Sequence, residues 1–442
     1  MVAKNPVSYL IVAFSSLLYI YLFYFTLRTE SSSLVIIYSI LFLGYLMLVK
    51  SAHALPIRWL IAISLLFRII PLFAMPGLSD DFYRFIWDGR LWAAGINPFA
   101  GLPTEFINDP SLAAQGLTTQ LYNLLNSPSH YTVYPPVPQY INWLAARLFS
   151  FSIEYSVILM KAILIATEML AILFLYLLLK KYNLKIHLLS IYALNPLVII
   201  EISGNLHHEG LMITFLLGFL YFNADNKAPQ AAAMLALSVA SKLLPLIFLP
   251  IILLNQKSRF KFSLIFLVTL ALLFLPLLDQ SFVIGMKDSL TLYYQNFEFN
   301  AGLYYLLREI GYWVYGYNAI ALIGKILFVL SAAIILIYSF VLWRKQYNYS
   351  FSFTLLYLFF VVLSLILHPW YIIIFIALAP FTRFRFSMVW SFFIFLTYLG
   401  YSHTGYAENY YIVLLEYVAL IIALVMDIRN YERSSLTLNA AP

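Results

Sequence analysis

The sequence predicts an all-α protein that crosses a membrane many times, a bundle of about twelve transmembrane helices plus a broken-helix hairpin. Three observations predict it. The chain has 442 residues, of which 63% are hydrophobic and 10% are charged. Apolar runs long enough to cross a hydrocarbon core recur along most of its length. Lys and Arg are grouped between those runs.

The apolar runs give the candidate spans. They are 7–27, 34–50, 58–75, 156–179, 186–202, 208–223, 262–279, 319–343, 351–367, 370–381, 386–402 and 410–427. The first lacks a following small-residue cleavage site, so we expect a retained span rather than a signal peptide. The run 230–254 is interrupted by Ser241, Lys242 and Pro245, which predicts two short helices that enter and leave on one side.

The basic residues predict the orientation. If the N-terminus is cytoplasmic, every main basic group falls inside: Lys50/Arg58, Lys180/Lys181/Lys185, Lys227, Lys257/Arg259/Lys261, Arg344/Lys345, Arg383/Arg385 and Arg429/Arg433. This holds only if 137–151 is an interfacial helix, since a span there would move the Lys180 group outside. The C-terminus is then cytoplasmic too. The net charge of +7 therefore needs no nucleic-acid partner, and the absence of Cys excludes disulfides and thiolate metal sites.

Two long segments then face outward: 76–155, the first loop, and 280–318, the second loop. Both are rich in aromatics, Asn, Gly and Pro, and both are too long to be simple connectors. We expect them to fold together as a cap on a single domain, 1–442, with the first loop catalytic.

The densest charge lies in Ser79–Arg90, which holds three carboxylates and two guanidiniums. If this segment is helical, Asp81, Arg84 and Asp88 share a face. An aspartate there can take a proton from a hydroxyl, and an arginine can orient it or meet a phosphate. Tyr83 and Trp87 can stack on a sugar ring. The alternative is an interfacial helix with surface salt bridges and an aromatic belt, and residue types alone leave both interpretations open.

Several motifs resemble those of one family. The run Asp81-x-Tyr83-Arg84-x-x-Trp87-Asp88-Gly89-Arg90, followed by Gly95-x-Asn97-Pro98-Phe99, resembles the first extracytoplasmic loop of bacterial polyprenol-phosphate-mannose-dependent mannosyltransferases of the GT-C superfamily. Further similar motifs follow in family order: Tyr134-Pro135-Pro136, Asn195-Pro196-Leu197, Gly204-Asn205-Leu206-His207-His208-Glu209-Gly210, Ser241-Lys242-Leu243-Leu244-Pro245 and His368-Pro369-Trp370-Tyr371. Two features differ from the family's pattern. Its His-Asn-Asp motif is replaced here by His207-His208-Glu209, and the two aspartates Asp80 and Asp81 are adjacent.

The resemblance implies a GT-C-like bundle that transfers a sugar, most simply mannose, with inversion. The donor would be a polyprenyl-phosphate sugar, the acceptor a glycan or glycolipid, and the place the outer face of the cytoplasmic membrane. Asp81 is the expected base and Asp80 the second choice, with Asp88 and Arg84 orienting. The expected substrate contacts are Arg84, Tyr83, Trp87, Arg90, Asn97, Tyr134, His207, His208, Glu209, Lys242, His368, Trp370 and Tyr371.

Several polar residues allow other interpretations. His207, His208 and Glu209 could bind a metal or form a hydrogen-bonded loop, whereas the resemblance favours acceptor or phosphate binding. His368 and Trp370 could be interface anchors or substrate contacts. A phosphate leaving group needs no general acid, so one carboxylate suffices for inversion. We also expect no obligatory metal or other cofactor.

Charges inside apolar runs must pair, snorkel or line a cavity, since each costs roughly 2.5–3.5 kcal/mol to insert. Lys242 is one; the others are Arg68, Lys161, Glu168 and Glu416. Lys161 and Glu168 are seven residues apart and could share a buried network. Arg68 or Lys325 could meet a lipid phosphate, although structural pairing is the simpler expectation for each.

The second loop contains the aromatic stretch 293–300, which could line an acceptor groove with Glu298 and Arg308 or form an interfacial helix.

A transporter or flippase of a lipid-linked sugar is the alternative function. The functional charges of such a protein should lie at mid-membrane between internal repeats, and no repeat is evident in this sequence. A glycan polymerase or ligase would favour outer loops rich in Arg, and here they hold few. No Walker or Rossmann motif is present, which argues against ATP-driven transport and a nucleotide-sugar donor.

Overall fold

A computed structural model describes residues 6–295, 297–382 and 384–435. It is 77% helical, with almost no strand. The N-terminal helices are α1 (Pro6–Phe25), α2 (Ser31–Ser51) and α3 (Ile57–Ile69). The first loop forms α4 (Asp81–Ala93), α5 (Pro103–Phe106), α6 (Pro110–Ala113), α7 (Thr119–Asn123) and α8 (Pro136–Leu148). The middle of the chain forms α9 (Ile153–Lys181), α10 (Ser190–Ala193), α11 (Pro196–Val198), α12 (Glu209–Ala224), α13 (Ala228–Ser241), α14 (Leu249–Asn255) and α15 (Arg259–Phe274).

The second loop forms α16 (Gln280–Gln295) and α17 (Gly302–Tyr315). The C-terminal part holds α18 (Ile320–Arg344), α19 (Tyr349–Val362), α20 (Ile373–Thr382), α21 (Phe386–Phe393), β1 (Tyr401–Ser402), β2 (Gly405–Tyr406) and α22 (Tyr410–Ser435). The two strands form an antiparallel hairpin that pairs Tyr401 with Tyr406. A π-helical turn covers Ile199–Gly204.

Six of the described helices are long and apolar enough to cross a membrane, or up to seven if the bent pair 186–193 and 196–204 counts as one span. The six are Val7–Phe25, Ser31–Ala54, Ile153–Lys181, Arg259–Leu277, Ile320–Arg344 and Tyr410–Asn430. The multi-pass prediction therefore holds, but the count of about twelve is not confirmed. Several predicted spans are shorter apolar helices of 10–17 residues. Proline accounts for part of the difference, because Pro196 and Pro369 each begin a new helical segment inside an apolar run.

The main core joins shorter helices to some of the long spans. α12 packs along α13, α13 packs along α15, and α9 packs on α12. α20 is buried over almost its whole length. By contrast, α18 and α22 expose many large apolar side chains, as expected of helices in contact with lipid. The predicted break in 230–254 lies at Lys242, whose backbone is extended between α13 and the next helical turn.

The first loop is organised by α4 and α8, which pack closely together. The contact needs a glycine: a Cβ on Gly89 would lie 2.3 Å from the carbonyl oxygen of Asn142. With 13 residues, α8 is about 20 Å long, shorter than the hydrocarbon core of about 30 Å. The segment 137–151 therefore does not cross as one helix, as the predicted orientation requires.

The two loops contact each other. The amide of Asn97 donates to the carbonyl oxygen of Leu277, at 2.9 Å, and to the carboxylate of Asp279, at 2.8 Å. The Ser289 hydroxyl donates to the carbonyl oxygen of Thr132, at 3.0 Å. Asn97, predicted as a substrate contact, therefore ties the first loop to the start of the second.

The buried charges pair with protein groups. Arg68 contacts Glu168 at 3.0 Å, and both side chains are fully buried. Glu168 also accepts from the hydroxyl of Tyr192. Lys161 does not join this pair; its ammonium donates to the carbonyl oxygens of Pro71 and Ala74. The shared Lys161–Glu168 network is thus absent, and Arg68 has a protein partner.

The remaining intramembrane carboxylate, Glu416 of α22, accepts from the amide of Asn300 and from the indole of Trp390. In the second loop, Arg308 pairs with Glu298 at 2.5 Å and with Glu309 at 3.2 Å, so its charge has protein partners. The side chains of Leu292–Gln295 and residue Asn296 lie outside the described part of the chain, as does Arg383 of the predicted orientation.

Candidate active site

The acidic segment forms α4, as predicted. Asp80 is the N-cap residue, and Asp81 lies in the first turn, where a carboxylate is favoured by the helix dipole. The Ser79 hydroxyl accepts from the backbone N–H of Asp81 at 3.3 Å. The helix stops at Gly95, which has φ +85, and the N–H of Ile96 turns back to the carbonyl oxygen of Leu91.

Arg84 and Asp88 form a buried pair, with 2.7 Å between Nε and Oδ1. The other oxygen of Asp88 accepts from Thr132 at 2.5 Å and from Gln139 at 3.0 Å. Arg84 also donates to the carbonyl oxygen of His130 at 2.7 Å. Because Asp88 is fully buried and fully engaged, this pair holds the segment after α7 against α4 and is not a free proton acceptor.

The two adjacent aspartates have different surroundings. Asp80 forms an ion pair with Arg28, at 2.6 Å, and both side chains are partly exposed. Oδ1 of Asp81 accepts from the amide of Asn126 at 2.7 Å. Its Oδ2 has no hydrogen-bond partner among the described residues, and the side chain is half-buried. Asp81 therefore presents the freer carboxylate oxygen.

Arg28 connects Asp80 to the C-terminal part of the chain. Its guanidinium lies 4.7 Å from the ring centroid of Tyr401 in β1. Burial by itself lowers the pKa of Arg28, but the hydrogen bond and negative charge of Asp80 outweigh it and raise the pKa above the ordinary value. The cation is therefore fixed between a carboxylate and an aromatic face.

Other predicted contacts of α4 are less available. Trp87 is completely buried, so in this structure its ring presents no face to a sugar. Arg90 is also buried and donates to the carbonyl oxygen of Gly116 at 2.6 Å. Tyr83 is half-buried and packs on Phe82. Burial, with the charge of Asp80 adding to it, raises the pKa of the Tyr83 hydroxyl.

The distant motifs come together as a stack of rings. Trp370 lies between two imidazoles, with centroid distances of 3.6 Å to His207 and 4.4 Å to His368. The 3-10 segment Pro369–Ile372 places the indole there. The interplanar angles are 22° and 9°, so the three rings are nearly parallel. The sequence predicted His207, His368 and Trp370 as separate substrate contacts, and the fold brings their three rings together in one stack.

Glu201 anchors this stack from the π-helical turn, a feature that often marks functional sites. Its carboxylate accepts from the hydroxyl of Tyr398 at 2.8 Å and from the amide of Asn205 at 3.3 Å. Nδ1 of His207 lies 3.0 Å from the same carboxylate. That contact lacks hydrogen-bond geometry, and both ring nitrogens of His207 are buried without a hydrogen-bond partner among the described residues.

His208 joins the stack region to α4. Its ring lies 4.4 Å from that of Phe85 and 5.8 Å from that of Tyr134. Lys242 reaches the same region from the helix break: it pairs with Glu209, and its ammonium lies 4.1 Å from the ring centroid of Tyr371. A quarter of the Lys242 side chain is exposed, which makes it the accessible cation of this cluster.

Contributors that were not predicted include Arg28, Asn126, Tyr398 and Tyr401. A signal for Arg28 exists, because it follows the first span on the side that the charge pattern leaves poor in Lys and Arg. The other three carry no local signal. The described residues contain no group of three or more His, Asp or Glu placed to hold a metal ion.

One protein-family model matches the chain: the MptA/B family, alpha-(1→6)-mannopyranosyltransferase, N-terminal domain, over residues 15–257. The search of curated proteins gave no match. The family match includes α4, the His207–Glu209 motif and Lys242, whereas Trp370 and Tyr401 lie beyond it. Since the match covers more than half of the sequence, the chain belongs to the MptA/B family of mannosyltransferases and is a multi-pass membrane glycosyltransferase.

Proposed function

We propose that this protein transfers mannose, with inversion, from a polyprenyl-phosphate donor to a glycan or glycolipid acceptor. The family supports the sugar and the reaction class. The lipid-linked donor rests on the motif resemblance, and the absence of nucleotide-binding motifs from the sequence agrees with it.

Asp81 is the base in this proposal, and the observation that carries it is the free oxygen of its carboxylate. Asp80 is neutralised by Arg28, and Asp88 is buried under three hydrogen-bond donors. Asp81 combines partial exposure with a single neutral donor, Asn126. A carboxylate in that position can take a proton from a hydroxyl brought within hydrogen-bond reach.

The reaction is a single displacement. The acceptor oxygen forms a bond to the anomeric carbon as the bond from that carbon to the phosphate oxygen breaks. The hydroxyl proton goes to Asp81, and the bonding electrons leave with polyprenyl phosphate. One attack from the face opposite the phosphate inverts the configuration.

The leaving phosphate needs positive charge and hydrogen-bond donors rather than an acid. We assign this role to Lys242, because a quarter of its side chain is exposed and its ammonium lies over the ring of Tyr371, the residue that follows Trp370. A fixed cation stabilises charge that develops in the transition state. The isoprenoid tail would leave the site between apolar helices.

The proposed orientation places α4 and the stack at the outer face of the cytoplasmic membrane, with both termini inside. The Lys and Arg distribution supports it. Labelling of a cysteine at position 109 by a membrane-impermeant thiol reagent tests this, since the chain has no native Cys.

The test of function is cell-free transfer of labelled mannose from polyprenyl-phosphate mannose by purified protein in detergent. Asp81→Asn should lower the rate by about 10²–10⁴-fold, the usual contribution of a general base. Asp109→Asn is the matched control, because Asp109 caps the short helix α6 and asparagine can cap equally well. A wild-type rate in Asp81→Asn rejects the assignment. A flippase would leave the donor unconsumed.

A further inference from the structure

We propose that the cleft between the first and second loops is the acceptor subsite, and that it binds a neutral sugar residue of the acceptor chain. The cleft has a volume of about 220 Å³ and is lined by Leu102, Ser129, His130, Tyr131, Asp288 and Ser289. This inference rests on the proposed function, and the residues that line the cleft are outside every motif used above.

The lining has the chemistry of a carbohydrate site. Tyr131 supplies an aromatic surface for the C–H face of a pyranose, and Asp288 supplies acceptors for its hydroxyl groups. Ser129, His130 and Asp288 are exposed, so their polar atoms are accessible to a ligand. The set combines polar groups with apolar surface and is open, as an oligosaccharide entering from water requires.

The same lining does not suit the donor. None of the six residues is Lys or Arg, and the carboxylate of Asp288 would repel a phosphate. Only Leu102 is aliphatic, which provides little contact for an isoprenoid tail. A neutral, hydroxyl-rich group is the ligand that this surface accommodates.

The cleft is held in place by both loops. Ser289 of α16 donates to the carbonyl oxygen of Thr132 at 3.0 Å. A Cβ on Gly285 would lie 3.1 Å from the Tyr131 ring, so the glycine lets that ring sit against α16. The Tyr131 ring, the aromatic part of the cleft lining, is therefore held in position by protein contacts alone.

The cleft is also tied to the proposed base. Asp81 accepts from Asn126, and Ser129 follows Asn126 by three residues, a reach of roughly 11 Å at most. Arg84 of α4 also donates a hydrogen bond to the carbonyl oxygen of His130, the residue that follows Ser129 in the cleft lining. A sugar in the cleft can thus be one unit of a chain whose terminal hydroxyl reaches Asp81.

The test measures both Michaelis constants with polyprenyl-phosphate mannose as the donor and a synthetic α-(1→6)-linked mannose trisaccharide as the acceptor. Asp288→Asn and Tyr131→Leu should each raise the acceptor KM about tenfold, leaving kcat and the donor KM near wild type. Glu154→Gln is the control, an exposed acid of the same loop region that does not line the cleft.

Because Tyr131→Leu can disturb packing, trisaccharide binding to the Asp81→Asn protein, with and without Asp288→Asn, is measured by saturation-transfer NMR. The Asp288 change should remove most of the signal. An unchanged acceptor KM in an active Asp288→Asn enzyme, or a change confined to the donor KM, overturns the subsite. Absence of any transfer by the wild-type enzyme instead overturns the proposed function.

Discussion

The indole of Trp370 stacks on the imidazole of His207 with ring centroids 3.6 Å apart and an interplanar angle of 22°. The two residues are 163 positions apart. His207 lies within the part of the chain that the family model matches, and Trp370 lies beyond it. The candidate site therefore draws on residues from the family-matched part and from the C-terminal part.

We expect Trp370→Leu to reduce kcat/KM about tenfold. Each aromatic contact contributes about 0.5–1.5 kcal/mol beyond area burial, and Trp370 makes two with imidazoles. Transfer assays on purified protein measure the effect. Trp313→Leu is the control, because that indole is 87% exposed on α17. Equal rates for the two variants would contradict a role for the stack.

We expect Arg28→Met to lower the transfer rate more than it lowers stability. The Arg28–Asp80 pair is partly exposed, so its contribution to folding is about 0.2–1 kcal/mol. Its loss leaves an unpaired carboxylate beside Asp81. A double-mutant cycle with Asp80→Asn separates the two effects: if the ion pair matters for turnover, the double variant is less impaired than the sum of the single changes predicts.

We expect Gly89→Ala to destabilise the fold by about 1–3 kcal/mol, the usual cost of overpacking. The added methyl group would lie 2.3 Å from a backbone oxygen of α8, which cannot move as a side chain can. Thermal unfolding in detergent measures it. Gly77→Ala is the matched control, since a Cβ there meets no atom within 4 Å. Similar midpoints for both variants would disprove the close α4–α8 contact.

We expect Glu168→Gln to cost about 3–5 kcal/mol, because it leaves the Arg68 guanidinium buried without its counter-charge. The comparison is Asp225→Asn, which breaks the partly exposed pair with Lys181 and should cost far less than the Glu168 change, because water screens exposed charges. Chemical unfolding of both variants gives the difference. A double change, Arg68→Met with Glu168→Leu, should recover part of the lost stability; no recovery would contradict the pairing argument.

We expect EDTA to leave the transfer rate within about twofold of its untreated value, because the proposed mechanism stabilises the leaving phosphate with fixed cations such as Lys242. The assay compares chelated enzyme with chelated enzyme supplied with excess Mg²⁺ or Mn²⁺. Lost activity that a divalent ion restores would show that the cations of the site are insufficient.

The helix and membrane character of the chain could be predicted because both depend on local patterns. The spacing of Asp81, Arg84 and Asp88 places them on one face of α4 whatever surrounds it. Span number could not be predicted in the same way. Apolar runs look alike whether lipid or protein covers them, so the runs by themselves do not distinguish long spans from the shorter apolar helices of 10–17 residues.

The sequence by itself determined the class of protein, the acidic helix and the set of motifs that the site draws on. Tertiary structure decided their surroundings: Asp88 is a buried anchor, Trp87 is a packing residue, and Asp81 keeps a carboxylate oxygen without a hydrogen-bond partner among the described residues. Arg28 and Tyr401 reach this site from opposite ends of the chain. Burial and ion pairing arise from contacts between distant segments, and no local pattern of residues encodes which segments will meet.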